Sequence, residues 1–313
     1  MNNRTHARWP KRLLCLALAI VFVFFSARVY YRLTDDFRLV HITHNLPFYL
    51  DAETVVTAQD KELLDKISKQ PFTYIGKGAQ SYAFLSEDGE HVLKFFKFKH
   101  LKPHWLVQYL PNIGPFKEVK EKSIARKKRQ FHSVFDGYQL AYNRHRKESG
   151  LLYIHLSSTN EIGQSVELFD KIGRRHILDM DANIFVVQER VVVNRHAMKE
   201  ALNNGDLALA KLRIHQIVNH YLAEYDKGIY DRDHGVLHNM GFIGDRTIRL
   251  DVGKLSRAPR MKEQENWEPD LKIVALKYHH WMKDKYPEYY DEVISSLEQE
   301  LAKAFGKPYQ ISE

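Results

Sequence analysis

A run of residues without a single charge lies close to the N-terminus of the chain. It reads LLCLALAIVFVFFSA, from Leu13 to Ala27, and is flanked by arginine on both sides. Extended past the second arginine through Tyr31, it approaches the roughly 20 residues that a helix needs to cross a bilayer. That arginine can snorkel to the headgroups. We therefore predict that residues 1–31 comprise a basic region and one transmembrane helix, which contacts the lipid bilayer through residues 13–31.

The competing interpretation of this segment is a cleaved signal peptide, since basic residues precede the apolar run. Cleavage after Ala27 would put Phe25 where the cleavage site requires a small residue, so an uncleaved anchor is favoured. Lys and Arg are slightly denser before the run than after it, which favours a cytoplasmic N-terminus and a body outside. The chemistry discussed below favours the opposite orientation, so the sequence leaves the side of the membrane open.

The composition indicates a folded chain with a substantial core. Of 313 residues, 44% are hydrophobic and 12% aromatic, which excludes a disordered or fibrous protein. The length suits two domains or one unit of two lobes. The single cysteine, Cys15, excludes a disulfide framework and a Cys-based metal site. The formal net charge of +8 is compatible with an anionic partner without identifying it.

The order of predicted elements indicates an α+β architecture with two lobes. Residues 32–72 are expected to form a juxtamembrane connector with a short helix at 58–68. Short β-type runs and a long helix at 116–147 then indicate a β-rich N-lobe at 73–193. Helices at 206–227 and 270–305, the second interrupted near Pro287, indicate an α-rich C-lobe at 194–313. Asp206 is a plausible N-cap of the first of these helices, and Gly228 a plausible stop.

The first candidate functional motif is the turn IGKGAQSYAF, which contains Gly76, Gly78 and Ser81. Glycines between two strands allow backbone amides to approach a phosphate without an intervening Cβ. The turn is not a Walker A loop, because no Gly-Lys-Ser/Thr follows at the required spacing. An ordinary hairpin can also carry two glycines, so the motif alone does not decide between the two interpretations.

The second candidate is Lys94, one strand later in HVLKFF. Strand alternation places Lys94 on the same face as Val92. A lysine directed inward is costly unless it meets an anion, and a nucleotide phosphate would supply one. A solvated lysine on an edge strand is the alternative.

The third and fourth candidates lie in the second half of the chain. The stretch YDRDHGVLHN contains Asp231, Asp233 and Asn239, and RLDVG contains Asp251. An aspartate followed closely by an asparagine can supply a catalytic base and a carbonyl ligand for Mg²⁺. Asp251 adds a second hard oxygen ligand, and the glycine two residues later permits a turn.

Taken in order, these motifs resemble the parts of a protein-kinase-like phosphotransferase. From about residue 73 to 255 the chain is similar to a divergent kinase fold, with a glycine loop, a strand lysine, helices, Asp…Asn, a hairpin and Asp-x-Gly. Asp231 stands where such enzymes have the histidine of His-Arg-Asp. The spacing from Asp233 to Asn239 is one residue longer than in the family motif, and valine replaces the phenylalanine of Asp-Phe-Gly.

The resemblance implies ATP and Mg²⁺ as cofactors and a role for each motif. Lys94 would bind the α- and β-phosphates, and Asn239 and Asp251 would hold Mg²⁺. Asp233 would orient or deprotonate the acceptor hydroxyl, with Asp231 as the alternative. The glycine loop, with Gly76, Gly78 and Ser81, would cover the phosphates.

Two further parts of a kinase are expected by chain order. The strand NIFVVQERVVV would lead into the hinge, with Val187 near the base and the backbone of Glu189–Val191 facing adenine. The acid that pairs with Lys94 would come from the helix at 116–147. The candidates are left open there and are Glu118, Glu121 and Asp136.

These observations predict a membrane-anchored, Mg-ATP-dependent phosphotransferase whose acceptor is a protein or a sugar or glycolipid hydroxyl. The alternative is an inactive pseudokinase that serves as a membrane-tethered scaffold. A weaker third hypothesis is a structural membrane protein that uses the basic stretch KEVKEKSIARKKRQ on anionic lipid. No nucleic acid is expected as a partner, because that stretch lacks interleaved aromatic residues. The oligomeric state is left open.

Overall fold

The computed structural model describes residues 8–46, 48 and 56–312. The helices are α1 (Arg8–Thr34), α2 (Leu39–Ile42), α3 (Ala58–Ser68), α4 (Trp105–Gln108), α5 (Gly114–Arg144), α6 (Arg146–Ser149), α7 (Asn194–Asn203), α8 (Leu207–Asp226), α9 (Gln264–Lys285) and α10 (Tyr290–Phe305). The strands are β1 (Phe72–Lys77), β2 (Ser81–Ser86), β3 (His91–Phe96), β4 (Leu151–His155), β5 (Ser165–Phe169), β6 (Arg175–Asp179), β7 (Phe185–Glu189), β8 (Val192–Val193), β9 (Ile229–Asp231), β10 (Met240–Ile243), β11 (Arg246–Arg249) and β12 (Leu255–Arg257).

The N-terminal apolar run forms helix α1. Its segment Lys11–Thr34 is long and apolar enough to cross a membrane, and the most apolar part is not buried against the rest of the protein. The predicted apolar helix is therefore confirmed. Length and composition do not distinguish such a helix from a signal sequence.

A corner at Asp35 and Asp36 joins α1 to the β-rich lobe. Both aspartates have positive φ, 51° and 62°. The Asp35 carboxylate accepts a hydrogen bond from the Tyr74 hydroxyl at 3.0 Å and pairs with Lys77 at 3.2 Å and Lys171 at 3.0 Å. The end of α1 is thus fixed to β1 and to the β5–β6 hairpin.

The β-rich lobe is built on a seven-stranded sheet in the order β4-β7-β3-β2-β1-β5-β6. Its neighbouring strands are antiparallel except β1 and β5, which run parallel. Burial alternates along β2, as expected for a strand with one face in a core.

The two faces of this sheet pack differently. Phe84 and Leu93 lie on one face, in a core that also includes Leu64 and Ile67 of α3. The other face packs against α5, where Phe96 contacts Phe135 with ring centroids 4.7 Å apart. The stretch expected to be a juxtamembrane connector therefore contributes α3 to the core of the β-rich lobe.

The helical lobe consists of α7–α10 and two small sheets. Its core is formed mainly by the buried faces of α8, α9 and α10. Strand β8 pairs with β10, so the chain crosses from the large sheet to the second lobe between Glu189 and Val192. The α+β architecture of two lobes is therefore confirmed.

The predicted helix signals of this lobe are also confirmed. The Asp206 side chain caps α8 by accepting a hydrogen bond from the backbone of Leu209 at 2.9 Å. Gly228 follows the helix with a φ of 67°. The last helical region is divided near Pro287 into α9 and α10.

Candidate functional site

Lys94 lies at the centre of the candidate site, on the face of β3 that meets α5. Its ammonium group donates a hydrogen bond to the Leu250 carbonyl at 3.0 Å. Burial lowers the pKa of Lys94 to about 8, against the opposing effect of the Asp251 carboxylate. A buried lysine with a carboxylate nearby has the charge and position needed to bind an anionic ligand.

The backbone of Leu250 brings three distant motifs together. The Leu250 N–H donates a hydrogen bond to the backbone carbonyl of Asn239 at 2.7 Å. The Leu250 carbonyl accepts the hydrogen bond from the Lys94 ammonium. Asp251 is the next residue. Pairing of Met240 with Arg249 in the β10–β11 hairpin sets this register. These contacts bring the Lys94 side chain and the backbones of Asn239 and Asp251 next to one another, where the β-rich lobe meets the helical lobe.

Asp233 is adjacent to Asn239 and exposed. The Asn239 side-chain NH₂ group donates a hydrogen bond to the Asp233 carboxylate at 3.0 Å. The side-chain oxygen Oδ1 of Asn239 is therefore the atom that could bind a metal. Gly235 allows this arrangement, because a Cβ there would collide with the Asn239 side chain. His234 has a φ of 53° and bonds Asp270 of α9, so the loop is held on the helical lobe.

Asp231 lies beneath this loop in a buried ionic cluster and does not reach its open face. One oxygen pairs with Arg249 at 2.7 Å, and the other accepts a hydrogen bond from the backbone of Asp233 at 2.9 Å. Glu224 pairs with the same guanidinium through two hydrogen bonds of 2.5 Å. Burial alone would lower the pKa of Arg249, but Glu224, Tyr221 and Asp231 raise it well above its usual value. The Asp231 carboxylate thus fixes the backbone of Asp233 through this hydrogen bond.

Helix α5 packs directly against the segment that carries Asp251. A Cβ at Gly137 would come under 3.0 Å from the Val252 carbonyl oxygen, and 3.2 Å from the carbonyl carbon of Gly253. Tyr138 is buried beside the same segment, where burial and the Asp251 charge raise its pKa well above the usual value. The absence of side-chain atoms at position 137 therefore sets how closely the helix approaches Asp251.

None of the three acids considered as partners of Lys94 pairs with it in the part of the chain that the structure describes. Glu118 pairs with Lys122 at 2.5 Å and Glu121 with Lys117 at 3.9 Å, on an exposed part of α5. Asp136 is exposed and lines a groove beside Arg232. Lys94 instead donates a hydrogen bond to the Leu250 carbonyl and interacts electrostatically with the Asp251 carboxylate.

The glycine turn lies over the Asp-Val-Gly segment. Gly78 donates its backbone hydrogen bond to Ser81 at 2.9 Å, and Lys97 bonds the Gly78 carbonyl. Above Gly76 there is open space, since a Cβ there would meet nothing within 4 Å. The Gln80 side chain points inward, and its oxygen would lie 2.6 Å from a Cβ on Gly253. This approach places the turn beside the Asp251–Gly253 segment.

Gln80 is a site residue that the sequence analysis did not single out. Its side-chain oxygen is buried and has no hydrogen-bond partner among the described residues. A buried polar atom without a partner is costly, and a bound ligand or hydrated ion would satisfy it. The only sequence signal was its place inside a glycine turn.

The segment expected to be the hinge does cross between the lobes, but its details differ from the prediction. Lys94 is opposite Val186 in the β3–β7 pairing, so Val187 faces the other side of the sheet, in the core with Leu93. Gln188 faces the Lys94 side instead and bonds the Ser149 carbonyl at 2.6 Å. The placement of Val187 beside the site is therefore wrong, because strand alternation directs it away.

The backbone of Glu189–Val191 is partly engaged within the protein. The N–H of Glu189 donates to Gly150 at 2.8 Å, and that of Arg190 to Glu90 at 2.9 Å. Neither group is free to bind an adenine ring. The Val191 side chain packs against Gly241 of β10, where the chain enters the helical lobe.

The donor set of the site fits a divalent cation and a polyphosphate. The Asn239 carbonyl oxygen and the Asp251 carboxylate are hard oxygen ligands of the kind that Mg²⁺ prefers. The Lys94 ammonium and the unpartnered Gln80 oxygen lie on the side of the β-rich lobe. The residues present could therefore hold both groups.

Comparison with known proteins identifies similar solved structures only. No family model matches the chain, and no curated protein matches it. The bifunctional kinase-methyltransferase WbdD is 13% identical over 75% of this chain and 45% of that one, with a TM-score of 0.36. Rv3197 from Mycobacterium tuberculosis, solved in a complex with erythromycin, is 14% identical over 76% of this chain and 60% of that one, with a TM-score of 0.35.

A further match is a co-crystal structure of WbdD with the kinase inhibitor LY294002, at 14% identity and a TM-score of 0.31. The chain spans about half the length of the solved chains that it matches. At these values the likeness carries no argument about this protein. The assignment of the site rests on the contacts within this chain.

Proposed function

We propose that this protein is a membrane-anchored phosphotransferase that uses Mg-ATP. The observation that supports the proposal most is the meeting of Lys94, Asn239 and Asp251 at the Leu250 backbone. A cation and two hard oxygen donors in one cleft are what a metal–triphosphate complex requires. Their positions in the chain follow the order of a kinase.

Each residue would contribute by position and charge. Lys94 would neutralise phosphate oxygens, while Asn239 and Asp251 would bind Mg²⁺ through their oxygens. Mg²⁺ would supply neutralisation of the charge that develops on the phosphoryl group. Asp233, which is exposed and held by Asn239, would accept the proton of the acceptor hydroxyl.

The glycine turn would close the cleft over the phosphates. Gly76 and Gly78 present backbone without side chains, and Ser81 holds the turn through its carbonyl. Gln80 would turn its free oxygen toward the hydrated metal. The backbone of Glu189–Val191, at the crossing between the lobes, would border the adenine ring through its carbonyl groups.

The acceptor hydroxyl would lie at the membrane surface. Helix α1 has the length and composition of a span, and its end is bonded to the lobe that carries the glycine turn. Anchoring by α1 would keep the cleft within a short distance of the bilayer. A sugar, a glycolipid or a membrane protein would be an accessible acceptor there.

Phosphoryl transfer in the purified full-length protein tests this proposal. With labelled ATP and Mg²⁺, Asp251→Asn is expected to reduce turnover about 10²-fold or more, because a metal ligand that acts on the transition state is lost. Asp284→Asn, an exposed aspartate on α9, is the matched control and should leave turnover unchanged. Equal turnover in Asp251→Asn and wild type would refute the enzyme assignment.

A nucleotide-binding scaffold without catalysis is the second candidate. It is favoured by one observation, that Lys94 bonds a backbone carbonyl and pairs with no glutamate in the described part of α5. Such a protein would bind Mg-ATP, as judged by a magnesium-dependent rise in melting temperature, yet transfer no phosphate. Turnover above that of Asp251→Asn would exclude it.

A further inference from the structure

A cluster of exposed apolar and aromatic side chains lies on α4 and the start of α5. We call it the α4 surface; it consists of Trp105, Leu106, Tyr109, Ile113, Phe116 and Val119. Tyr109 is 81% exposed and Ile113 69%. Single exposed apolar residues are common on proteins, but six within fifteen positions form a patch that ordinarily marks an interaction site.

Lysines border the α4 surface in the sequence. Lys102 precedes its first member, Lys117 lies between Phe116 and Val119, and Lys120 follows its last member. Within the described ranges, Lys102 and Lys120 form no ion pair with a carboxylate. Lys120 donates only a long hydrogen bond of 3.4 Å to the Leu110 carbonyl. No carboxylate among the described residues therefore neutralises these two charges.

A cavity beside the α4 surface combines these two properties. It has a volume of about 460 Å³. Lys102 and Lys120 contribute cations to its lining, and Leu46, Val107 and Ile124 contribute apolar walls. A ligand that carries a phosphate next to hydrocarbon would match this lining, whereas a free phosphate would leave the apolar walls exposed to water.

The α4 surface lies near the end of helix α1. Lys99, which bonds Asp36 directly after α1, precedes Trp105 by six residues, a chain length of at most about 20 Å. Leu46, from the segment that follows α1, lines the cavity itself. The α4 surface is thus close to where α1 would leave the bilayer.

We propose that the α4 surface lies in the interface of an anionic bilayer and that its cavity binds the phosphate of an anionic phospholipid. The proposal rests on the anchoring proposed for α1 and adds a second, specific contact with the same membrane. Trp and Tyr favour the headgroup region because they join an apolar ring to a polar group. Lysines near an anionic leaflet add an electrostatic attraction.

Two attachments would restrict how the protein can turn about α1. A single helix leaves the body free to rotate about the membrane normal and to tilt. Contact through the α4 surface would fix the tilt of α5, the helix that packs on the Asp251 segment. The bilayer would thereby hold the cleft in one orientation toward its acceptor.

Environment-sensitive labels on the full-length protein in vesicles test this proposal. A label at native Cys15 reports on α1, and a label introduced by Tyr109→Cys in a Cys15→Ser background reports on the α4 surface. Gln299→Cys in the same background, an exposed position on α10, is the control. The vesicles are phosphatidylcholine alone or with phosphatidylglycerol.

We expect the label at position 109 to shift to shorter emission wavelength and to be quenched by brominated lipid when phosphatidylglycerol is present. The label at 299 should respond to neither. Lys102→Ala and Lys120→Ala should each lower the equilibrium constant for membrane contact at position 109 about fivefold. The label at Cys15 should be quenched in every case.

The outcomes separate the two levels of the proposal. A quenched label at Cys15 with an unquenched one at 109 would overturn the α4 surface proposal and retain the anchor. An unquenched label at Cys15 would overturn the anchor itself. An emission shift of the label at 109 that occurs without lipid and grows with protein concentration would assign the α4 surface to contact with a second copy of the chain. That result would also overturn the proposal.

Discussion

Replacement of Gly137 by alanine would test how the close approach of α5 supports the Asp251 segment. The added Cβ would come under 3.0 Å from the Val252 carbonyl oxygen and 3.2 Å from the Gly253 carbonyl carbon. Both are backbone atoms, so no side chain can rotate away, and the helix and the segment must separate. Overpacking of this kind typically lowers the free energy of unfolding by about 1–3 kcal/mol. Because backbone atoms of both elements would clash, we expect a loss near the upper end of that range.

Alanine also favours a helix over glycine by about 1 kcal/mol, so the net loss in free energy of unfolding should be about 2 kcal/mol. For a body of this size, that corresponds to a fall in melting temperature of roughly 4–8 °C. Differential scanning calorimetry of Gly137→Ala measures this fall in melting temperature. Gln130→Ala, at an exposed position of the same helix, is the control. The separation should also weaken magnesium-dependent ATP binding. A Gly137→Ala protein as stable as wild type, with unchanged ATP binding, would refute the reasoning.

Two further predictions concern the charges of the site. Arg249→Met should lower the free energy of unfolding, measured in urea, by about 3–5 kcal/mol, because it leaves Glu224 and Asp231 buried without their cation. Arg246→Met, which breaks a partly exposed ion pair on the same strand, should lower it by less than about 1 kcal/mol. Comparable losses in the two variants would contradict the buried cluster. Because the pKa of Lys94 is about 8, Mg-ATP affinity measured by calorimetry should fall roughly tenfold as the pH rises from about 7 to about 9 and the ammonium deprotonates. Lys94→Met should bind weakly with no such pH dependence, and an equally steep fall in that variant would assign the titration to another group.

The motifs that carry Lys94, Asn239 and Asp251 could be recognised in the sequence because each is short and local. Lys94 lies in β3, Asn239 directly precedes β10, and Asp251 follows the end of β11 by two residues. The resemblance supplied their order, and the β10–β11 register then brought them together.

Features that depend on contacts between distant elements could not be predicted. The approach of Gly137 to Val252 requires knowledge of where α5 packs, and nothing in the local sequence of either residue indicates it. The same is true of the inward direction of Gln80 and of Asp231, whose carboxylate pairs with an arginine eighteen positions away. A burial pattern marks a residue as inside, but it does not identify the partner.

The surroundings of Lys94 show the same limitation. Sequence alone offered three acids on one long helix, and helical periodicity could not rank them. The structure places the exposed, lysine-paired Glu118 and Glu121 near the start of α5, whereas Gly137 and Tyr138, several turns later, lie beside the Asp251 segment. The parallel pairing of β1 with β5 was likewise beyond local patterns, since such pairings join segments distant in the chain.

The central claim is that Lys94, Asn239 and Asp251 form one magnesium–nucleotide site. Isothermal titration calorimetry of ATP into the purified protein, with Mg²⁺ and then with chelator, tests it most directly. We predict that removal of Mg²⁺ weakens ATP binding at least tenfold, about 1.4 kcal/mol, and that Asn239→Ala abolishes this difference while Asn266→Ala on α9 preserves it. ATP binding with the same affinity in Mg²⁺ and in chelator, or no ATP binding by the wild-type protein, would contradict the claim.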